Sequence, residues 1–140
     1  MGQPQPQPQF SWSLRVYYED TDAGGVVFYA NYLKFMERAR TEWLRAGGVE
    51  QDSLLAQQIA FMVRSAHLEY LSPARFNEQL VVNNSIDQLR GASIIFAQEI
   101  IRPNGQVACS GRVKVACVNL ERNAPVAIPD VVRGALTGER

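Results

Sequence analysis

The sequence predicts an α+β fold in which an antiparallel β-sheet wraps around one long central α-helix. Three observations predict it. One segment of about four turns carries apolar residues at helical spacing. Four strand-like segments follow it, and a strong hairpin turn separates the last two. A helix with a wide apolar face can bury that face against the concave side of such a sheet. The 140 residues therefore predict one domain.

The first half of the chain predicts a tail, a strand and the helix. Residues 1–10 alternate Gln with Pro, which predicts a flexible tail. Residues 12–20 are β-branched and aromatic and predict a first strand. The helix is predicted over 31–46, and Gly47 and Gly48 provide a left-handed stop. Its apolar face comprises Tyr32, Phe35, Met36, Ala39 and Trp43.

The second half is strand-like after a linker or short helix at 50–58. The four strands are IAFMVRSAHLEY, EQLVVNNSIDQL, SIIFAQEII and QVACSGRVKVACVN. RPNG separates the last two, and Pro with Asn-Gly favours a tight hairpin turn. The domain is predicted at 11–133 and a flexible C-terminal tail at 134–140. This arrangement leaves sheet edges and much of the helix open, which predicts a homo-oligomer.

Charge and cysteine content exclude several classes of function. Fourteen basic and fourteen acidic residues cancel, so the chain has no general electrostatic footprint for nucleic acid. No apolar run is long enough to span a bilayer, and the N-terminus does not have the pattern of a secretory signal. Cys109 and Cys117 lie too far apart in one predicted strand to form a disulfide within it. The expected compartment is the cytoplasm, with peripheral association at the inner membrane as an open alternative.

The remaining polar residues favour structural roles. One histidine and two separated cysteines are too few for a zinc site, so neither a metal nor a cofactor is expected. His67 is in the middle of a predicted strand with no Ser or Cys to activate nearby, which favours a packed or hydrogen-bonded residue. Glu37 is a second candidate acid within the helix. An ion pair with Arg40, three residues on, is the favoured interpretation.

The strongest chemical signal is the segment YYEDTDAGGVVFYANYLKF, residues 17–35. Three acids within four positions, the last of them Asp22, precede Gly24 and Gly25. In an arbitrary turn, such acids mostly bond nearby backbone N–H groups. Here the glycines also permit close approach by a ligand, and the first N–H groups of the helix are unpaired. A carboxylate facing backbone donors suits acyl transfer, in which an oxyanion develops.

The segment RVYYEDTDAGGVVFYANYLKFMERARTEWLR resembles the signature of the hotdog-fold acyl-CoA thioesterases of the 4-hydroxybenzoyl-CoA thioesterase superfamily. It is most similar to their YbgC-like branch, which is associated with the Tol-Pal system. FMVRSAHLEYLSPAR and the later strands extend the similarity from about Leu14 to Pro129. The resemblance implies a hotdog fold and the hydrolysis of acyl-CoA to free acid and CoA. It also implies a homodimer or homotetramer (a dimer of dimers), with acyl carrier protein as an alternative acyl carrier.

The resemblance implies roles for individual residues. The catalytic aspartate falls on Asp22, and the backbone amide that polarises the thioester carbonyl falls on Tyr29. Gly25 belongs to the same catalytic turn. The positions implied to line or brace the substrate site, of which the last two contact the CoA nucleotide, are Tyr17, Tyr18, Val27, Phe28, Arg90 and Ser93.

The sequence leaves the mechanism open and departs from the family at two places. Asp22 either attacks the thioester to form a mixed anhydride or acts as a general base on water. Many YbgC-like sequences carry Tyr-His at Phe28-Tyr29, and some have several basic residues where this chain has only Arg90. The alternative function is a non-catalytic scaffold that binds acyl thioesters or acyl carrier protein and is linked to envelope or phospholipid metabolism.

Overall fold

The computed structural model describes residues 7–138 of the chain. Its first half contains β1 (Phe10–Arg15), a 3-10 turn (Tyr18–Asp20), the long helix α1 (Asn31–Ala46) and the short helix α2 (Gln51–Leu55). The second half comprises β2 (Ile59–Tyr70), β3 (Gln79–Leu89), β4 (Ser93–Ile101), β5 (Val107–Asn119), β6 (Ala124–Pro125) and α3 (Asp130–Thr137). None of the helices in this described part is long and apolar enough to cross a membrane.

The strands form one antiparallel sheet in the order β1-β3-β4-β5-β2, and β6 pairs with the end of β5. The last three long strands along the chain are neighbours, as expected for strands joined by short hairpins. β2 lies outside β5, with Ile59 opposite Asn119 and Tyr70 opposite Cys109. One side of β2 is therefore an open edge of the sheet. The predicted order of strand, long helix and four strands is confirmed.

α1 has the bounds that its apolar spacing predicted, and it lies against the inner face of the sheet. Its five predicted apolar residues are all buried. Trp43 packs its ring against Phe96 on β4 and Phe10 on β1, with ring centroids 5.8 and 6.0 Å away. Burial of each large apolar side chain contributes about 2 kcal/mol. Gly48 has a φ of +90° just beyond α1, which confirms the left-handed stop.

A chain of buried amides joins α1 to the sheet. Gln98 of β4 donates to the carbonyl of Met36 at 3.0 Å and to Oδ1 of Asn84 at 2.6 Å. Arg40 donates to Oε1 of Gln98 at 2.9 Å, and Asn84 donates to the carbonyl of Phe10 at 3.1 Å. A buried polar group without a partner is costly, so these bonds fix how α1 sits on the strands. Burial lowers the pKa of Arg40 to about 10.

The predicted bounds of the N-terminal tail and the first strand were wrong. β1 begins at Phe10, and the N–H of Gln9 already donates to the carbonyl of Asn84 at 2.8 Å. The strand ends at Arg15 and not at residue 20, because the chain then turns back on itself. Oδ2 of Asp20 accepts the N–H of Tyr17 at 2.8 Å and stabilises this turn. Residues 1–6 of the predicted tail lie outside the described residues.

The predicted C-terminal tail at 134–140 was also wrong, because residues 134–137 belong to α3. Val132 and Leu136, one turn apart, are both buried in the core. α3 lies close to the end of α1: a β-carbon added to Gly47 would be 2.4 Å from Cβ of Ala135. Packing against α1 therefore orders a segment that was predicted to be flexible. Residues 139–140 lie outside the described part of the chain.

Candidate active site

The acid turn lies between the 3-10 turn and α1 and is fixed by backbone hydrogen bonds. The N–H of Asp22 donates to the carbonyl of Val26 at 2.9 Å, and that of Gly25 donates to the carbonyl of Asp22 at 3.0 Å. Gly25 has a φ of +77°, which glycine adopts without steric cost. Thr21 and Val27 pair across the turn. The result is a short antiparallel ribbon that holds Asp22 in place.

The carboxylate of Asp22 is exposed, and its two oxygens differ in their surroundings. Oδ1 accepts the N–H of Gly24 at 2.9 Å, which is an Asx-type turn bond. A β-carbon on Gly24 would lie 3.3 Å from the same oxygen, so glycine leaves it room. Within residues 7–138, no protein donor is bonded to Oδ2. Oδ1 therefore fixes the orientation of the carboxylate, whereas Oδ2 has no hydrogen bond to these residues.

The backbone N–H of Tyr29 is an unpaired donor close to the start of α1. The N–H of Phe28 donates to the carbonyl of Asp20 at 2.9 Å, and that of Asn31 donates to the carbonyl of Phe28 at 2.8 Å, whereas the N–H of Ala30 also has no acceptor in the described residues. The N–H of Tyr29 has no acceptor in the described part of the chain. The side chain of Asn31 also donates to the carbonyl of Asp20, at 2.8 Å. Asp20 thereby ties the acid turn to the first residue of α1.

The surface around the turn is aromatic and open. Tyr17, Phe28 and Tyr29 are 62%, 45% and 61% exposed. The ring of Tyr29 meets Tyr70, at the end of β2, edge-on with centroids 6.0 Å apart. Val27, in contrast, is buried, so its side chain supports the turn from below. An apolar surface of this kind on a single chain is typical of a site that a ligand or another chain covers.

The residues predicted to contact the CoA nucleotide lie at the other end of the molecule. Arg90 is in the β3–β4 turn, where its N–H donates to the carbonyl of Ser93 at 2.9 Å. Ser93 lies opposite Ala116 of β5, which also pairs with Met62 near the start of β2. Asp22 is near the other end of β2. Within one chain the two predicted groups thus lie near opposite ends of β2.

The second candidate acid and the histidine are placed differently from expectation. Glu37 accepts a weak hydrogen bond from Oγ1 of Thr41 at 3.4 Å. Its predicted partner, Arg40, turns inward and bonds Gln98 instead, so the Glu37–Arg40 ion pair does not form. His67 is neither packed nor near a nucleophile; it is exposed on β2, with Nε2 3.8 Å from the carboxylate of Glu69.

The cysteines are buried and chemically quiet. Cys109 and Cys117 are both free thiols in β5, as predicted. Burial raises the pKa of Cys109 to about 12 and also raises the pKa of Cys117. Both therefore stay protonated near neutral pH, and a protonated thiol is a poor nucleophile. Among residues 7–138, no cluster of three or more His, Cys, Asp or Glu side chains is placed to hold a metal ion.

Two concave regions lie away from the acid turn. A shallow one of about 740 Å³ covers the polar outer face of the sheet, around His67, Glu99 and Arg112. A smaller one of about 100 Å³ lies between α1, α3 and the sheet, with Arg40 and Phe61 in its wall. Neither Asp22 nor Tyr29 lines them. In the single chain, the predicted catalytic groups therefore lie on an open surface.

The loop after β2 contributes residues to this surface that the sequence analysis did not single out. Val26 pairs with Arg75, and the N–H of Phe76 donates to the carbonyl of Gly25 at 3.1 Å. The ring of Phe76 stacks on that of Tyr18. The sequence signal for this surface was the basic Arg75 and the aromatic Phe76, which follow Pro73 in a loop with no apolar periodicity. Only the tertiary pairing brings that loop to the acid turn.

Comparisons with known proteins cover almost the whole chain. The thioesterase-like superfamily matches residues 16–136. The acyl-CoA thioesterase YbgC of Haemophilus influenzae is 46% identical over 127 residues, which are 90% of this chain and 93% of that protein. The structure of a gentisyl-coenzyme A thioesterase is 32% identical, with a TM-score of 0.82 and coverage of 91% of this chain and 99% of that chain.

A second solved structure supports the fold. It is that of a 1,4-dihydroxy-2-naphthoyl-CoA thioesterase from Synechocystis, with a TM-score of 0.86 and 22% identity. It covers 91% of this chain and 95% of that chain.

Proposed function

The chain belongs to the thioesterase-like superfamily and has its hotdog fold, and from that membership we propose that it hydrolyses acyl-CoA thioesters with Asp22 and the Tyr29 amide. Its curated relatives are acyl-CoA thioester hydrolases, and the chain is an enzyme of that class. The observation that supports the site is the pairing of a carboxylate that has one unbonded oxygen with an unpaired amide near the start of α1. Both lie on the same short segment, which Asp20 holds together.

In the proposed reaction, the thioester carbonyl accepts the N–H of Tyr29. This bond and the positive end of α1 stabilise the negative charge that develops on the carbonyl oxygen. Asp22 then acts through Oδ2. It either attacks the carbonyl carbon, which forms a mixed anhydride and releases the CoA thiolate, or takes a proton from a water molecule that attacks instead. The bond from Gly24 to Oδ1 keeps the reactive oxygen directed away from the turn.

The other predicted residues support this reaction without forming bonds to the reacting atoms. Gly25 allows the backbone to reverse beside the carboxylate. Tyr17 and Phe28 provide exposed aromatic surface for the acyl group and the pantetheine arm. The pantetheine thioester is common to acyl-CoA and acyl carrier protein, so the same groups serve either carrier.

A second copy of the chain completes the site in this proposal. β2 is an open edge, and Met62, Val63 and Tyr70 on it are 51%, 55% and 51% exposed. An exposed apolar edge strand is a ready surface for pairing with another chain. If two copies pair antiparallel through β2, a two-fold axis brings the Arg90 end of one to the Asp22 end of the other. The nucleotide contacts and the carboxylate then serve one CoA. A dimer of dimers would contain two such pairs.

The test of the proposed function is replacement of Asp22 by Asn. Thiol release from a panel of acyl-CoAs, followed with a thiol reagent, is expected to fall by about 1,000-fold in kcat. Asp52→Asn is the matched control, because Asp52 is also exposed and also accepts a backbone N–H, that of Ser53 at 2.9 Å. It should retain full activity. Turnover that survives Asp22→Asn, with the thermal unfolding midpoint unchanged, would exclude Asp22 as the catalytic acid.

The two roles of Asp22 are separated by the mass of the intact protein after rapid mixing with acyl-CoA and quenching. A nucleophilic Asp22 adds one acyl group to the protein before hydrolysis, whereas a general base adds none. Binding of every acyl-CoA without any release of thiol would instead support the scaffold function.

A further inference from the structure

We propose that the small cavity between α1, α3 and the sheet binds a short-chain carboxylate, whose charged group is held by the guanidinium of Arg40. This cavity is called the Arg40 pocket below. It has a volume of about 100 Å³, and neither Asp22 nor Tyr29 lines it. The inference therefore concerns a second binding site, and it does not rest on the proposed hydrolysis.

Arg40 is a charged side chain that the fold half buries against neutral groups. Its Nη1 donates to Oε1 of Gln98 at 2.9 Å, and its Cζ lies 5.8 Å from the centre of the Phe96 ring. A guanidinium has five N–H donors, and the bond to Gln98 uses one of them. Within residues 7–138, no side-chain nitrogen or oxygen is both sealed from solvent and unbonded. The unused donors of Arg40 are therefore accessible to a ligand.

Glu37 lines the same pocket and acts on the charge of Arg40, but the two side chains do not form a salt bridge. The carboxylate of Glu37 accepts Oγ1 of Thr41 at 3.4 Å, and Thr41 in turn accepts the side-chain amide of Gln51 at 3.1 Å. Burial lowers the pKa of Arg40 to about 10, and the charge of Glu37 offsets this effect only in part. An anion that enters the pocket would supply the compensation that the fold leaves incomplete.

The walls of the pocket add a preference for an apolar chain. The polar lining residues all come from α1 and α2, whereas β2, β4, β5 and α3 contribute only apolar side chains. These include Phe61, Ile94, Phe96, Val115, Val132 and Leu136. An inorganic anion would gain nothing from such walls. A carboxylate with an apolar chain uses both the walls and the guanidinium, whose planar fork matches the two carboxylate oxygens.

The volume of the pocket limits the length of that chain. One water molecule occupies about 30 Å³ in the liquid, so about 100 Å³ suits a carboxylate with a few carbon atoms. Butyrate is the probe that follows from this size.

Calorimetric titration of the wild-type protein at low ionic strength tests the class of ligand. Butyrate is expected to bind about tenfold more tightly than acetate, because it buries two more methylene groups. Butanol and butylammonium have the same chain without the negative charge and should bind at least tenfold more weakly than butyrate. Equal affinities for butyrate and butanol, or for butyrate and acetate, would contradict the inference.

Two variants of α1 test the position of the ligand. Arg40→Gln should weaken butyrate binding at least tenfold, and Arg38→Gln is its matched control, because Arg38 is an exposed arginine of the same helix that does not line the pocket. Glu37→Gln removes a negative charge from the pocket and should tighten butyrate binding severalfold at low ionic strength. Glu42→Gln, the same change on α1 outside the pocket, should leave the affinity unchanged.

The inference is wrong if butyrate binds Arg40→Gln as tightly as it binds the wild type. Arg40→Gln also loses the bond to Gln98, so its thermal unfolding is measured first. If this variant does not fold, Glu37→Gln decides, and an affinity equal to that of the wild type overturns the inference. Binding that tightens in Asp22→Asn and not in Glu37→Gln would place the carboxylate at the acid turn instead. The titration needs no turnover, so its result is independent of the proposed function.

Discussion

Asp22 combines a structural hydrogen bond and an unbonded carboxylate oxygen in one side chain. Its Oδ1 forms the turn bond to Gly24 that is typical of aspartate in a loop, while Oδ2 is unbonded within residues 7–138. The structural and the catalytic interpretations of an acidic turn are therefore compatible. In the proposed reaction, the turn bond would remove conformational freedom from the carboxylate before the substrate binds, and that loss of freedom is one of the main costs of assembling a reactive geometry.

Cys109 should make the stability of the protein fall at high pH. Burial raises the pKa of this thiol from 9.0 to about 12, so the unfolded chain loses the proton at a lower pH than the folded chain. The contribution of the buried, protonated thiol to the free energy of unfolding is fully present below pH 9 and is lost as the pH rises toward 12. The slope is about 1.4 kcal/mol of unfolding free energy per pH unit.

Urea unfolding of wild type and Cys109→Ala at several pH values between 8 and 11 measures this contribution. The wild type is expected to lose more stability than the variant across that range. Arg40 contributes in the opposite direction in both proteins, because its lowered pKa disfavours the charged form in the fold, and it cancels in the comparison. Equal slopes would mean that the thiol ionises as easily in the folded protein as in the unfolded chain.

Among individual residues, the ion-pair partners on the surface of α1 were the hardest feature to predict from the sequence. The predicted pair of Glu37 with Arg40 does not form, whereas Glu42 pairs with Arg45, which also reaches Glu50 at 3.1 Å. Exposed pairs three or four residues apart differ little in free energy. The choice among them therefore depends on neighbours outside the helix. Apolar positions were predictable because only one face of α1 can be buried.

Among the elements, α1 was predictable and α3 was not. α1 is long, periodic and closed by two glycines, so its own sequence determines it. α3 has eight residues and contains Gly134, and a helix this short is marginal without tertiary contacts. Signals were present in Asp130 of its first turn and in Gly138, whose φ of +78° ends it. These signals could be recognised as marking a helix only with the knowledge that α1 provides a surface against which α3 packs.

Replacing Gly47 by Ala should destabilise the contact between α1 and α3. The added β-carbon would lie 2.4 Å from Cβ and 2.7 Å from Cα of Ala135, which is too close for either helix to tolerate without moving. Overpacking of this kind costs about 2 kcal/mol. Gly91→Ala is the matched control, because a β-carbon there meets nothing within 4 Å.

Thermal and urea unfolding of the two variants give the result directly. Gly47→Ala should lower the unfolding free energy, and Gly91→Ala should leave it within about 0.5 kcal/mol of wild type. Equal stability of the two variants would show that α3 can shift away from α1 at no cost.

At the scale of the whole molecule, the sequence predicted an oligomer but not which edge of the sheet would form it. An uncovered sheet is visible from the order of elements, whereas the open edge depends on β2 lying outside β5. The prediction of the candidate active site was limited in the same way. Asp22 and Arg90 were predicted for one substrate, yet one chain holds them at opposite ends. No pattern within a single chain specifies the symmetry that would bring them together.

Charges on β2 should therefore separate the copies and remove activity together. Met62→Lys and Val63→Lys each place a lysine on the exposed edge strand, one on each face, and lysine on an edge opposes pairing. Sedimentation is expected to show a monomer, with thiol release reduced in proportion to the lost oligomer. Val131→Lys is the control, because Val131 is 64% exposed and lies on α3 and not on the edge strand. Oligomers that persist in both β2 variants would exclude this edge as the interface.

The carbonyl of Asp20 accepts from the backbone of Phe28 and from the side chain of Asn31. The loop at 74–76 holds the same segment from outside, because the N–H of Val27 donates to the carbonyl of Ala74 at 2.8 Å and the N–H of Phe76 donates to that of Gly25 at 3.1 Å. An engineer who grafts only residues 17–31 onto another scaffold would leave these two bonds behind. A graft that also includes the loop at 74–76 would carry them with it.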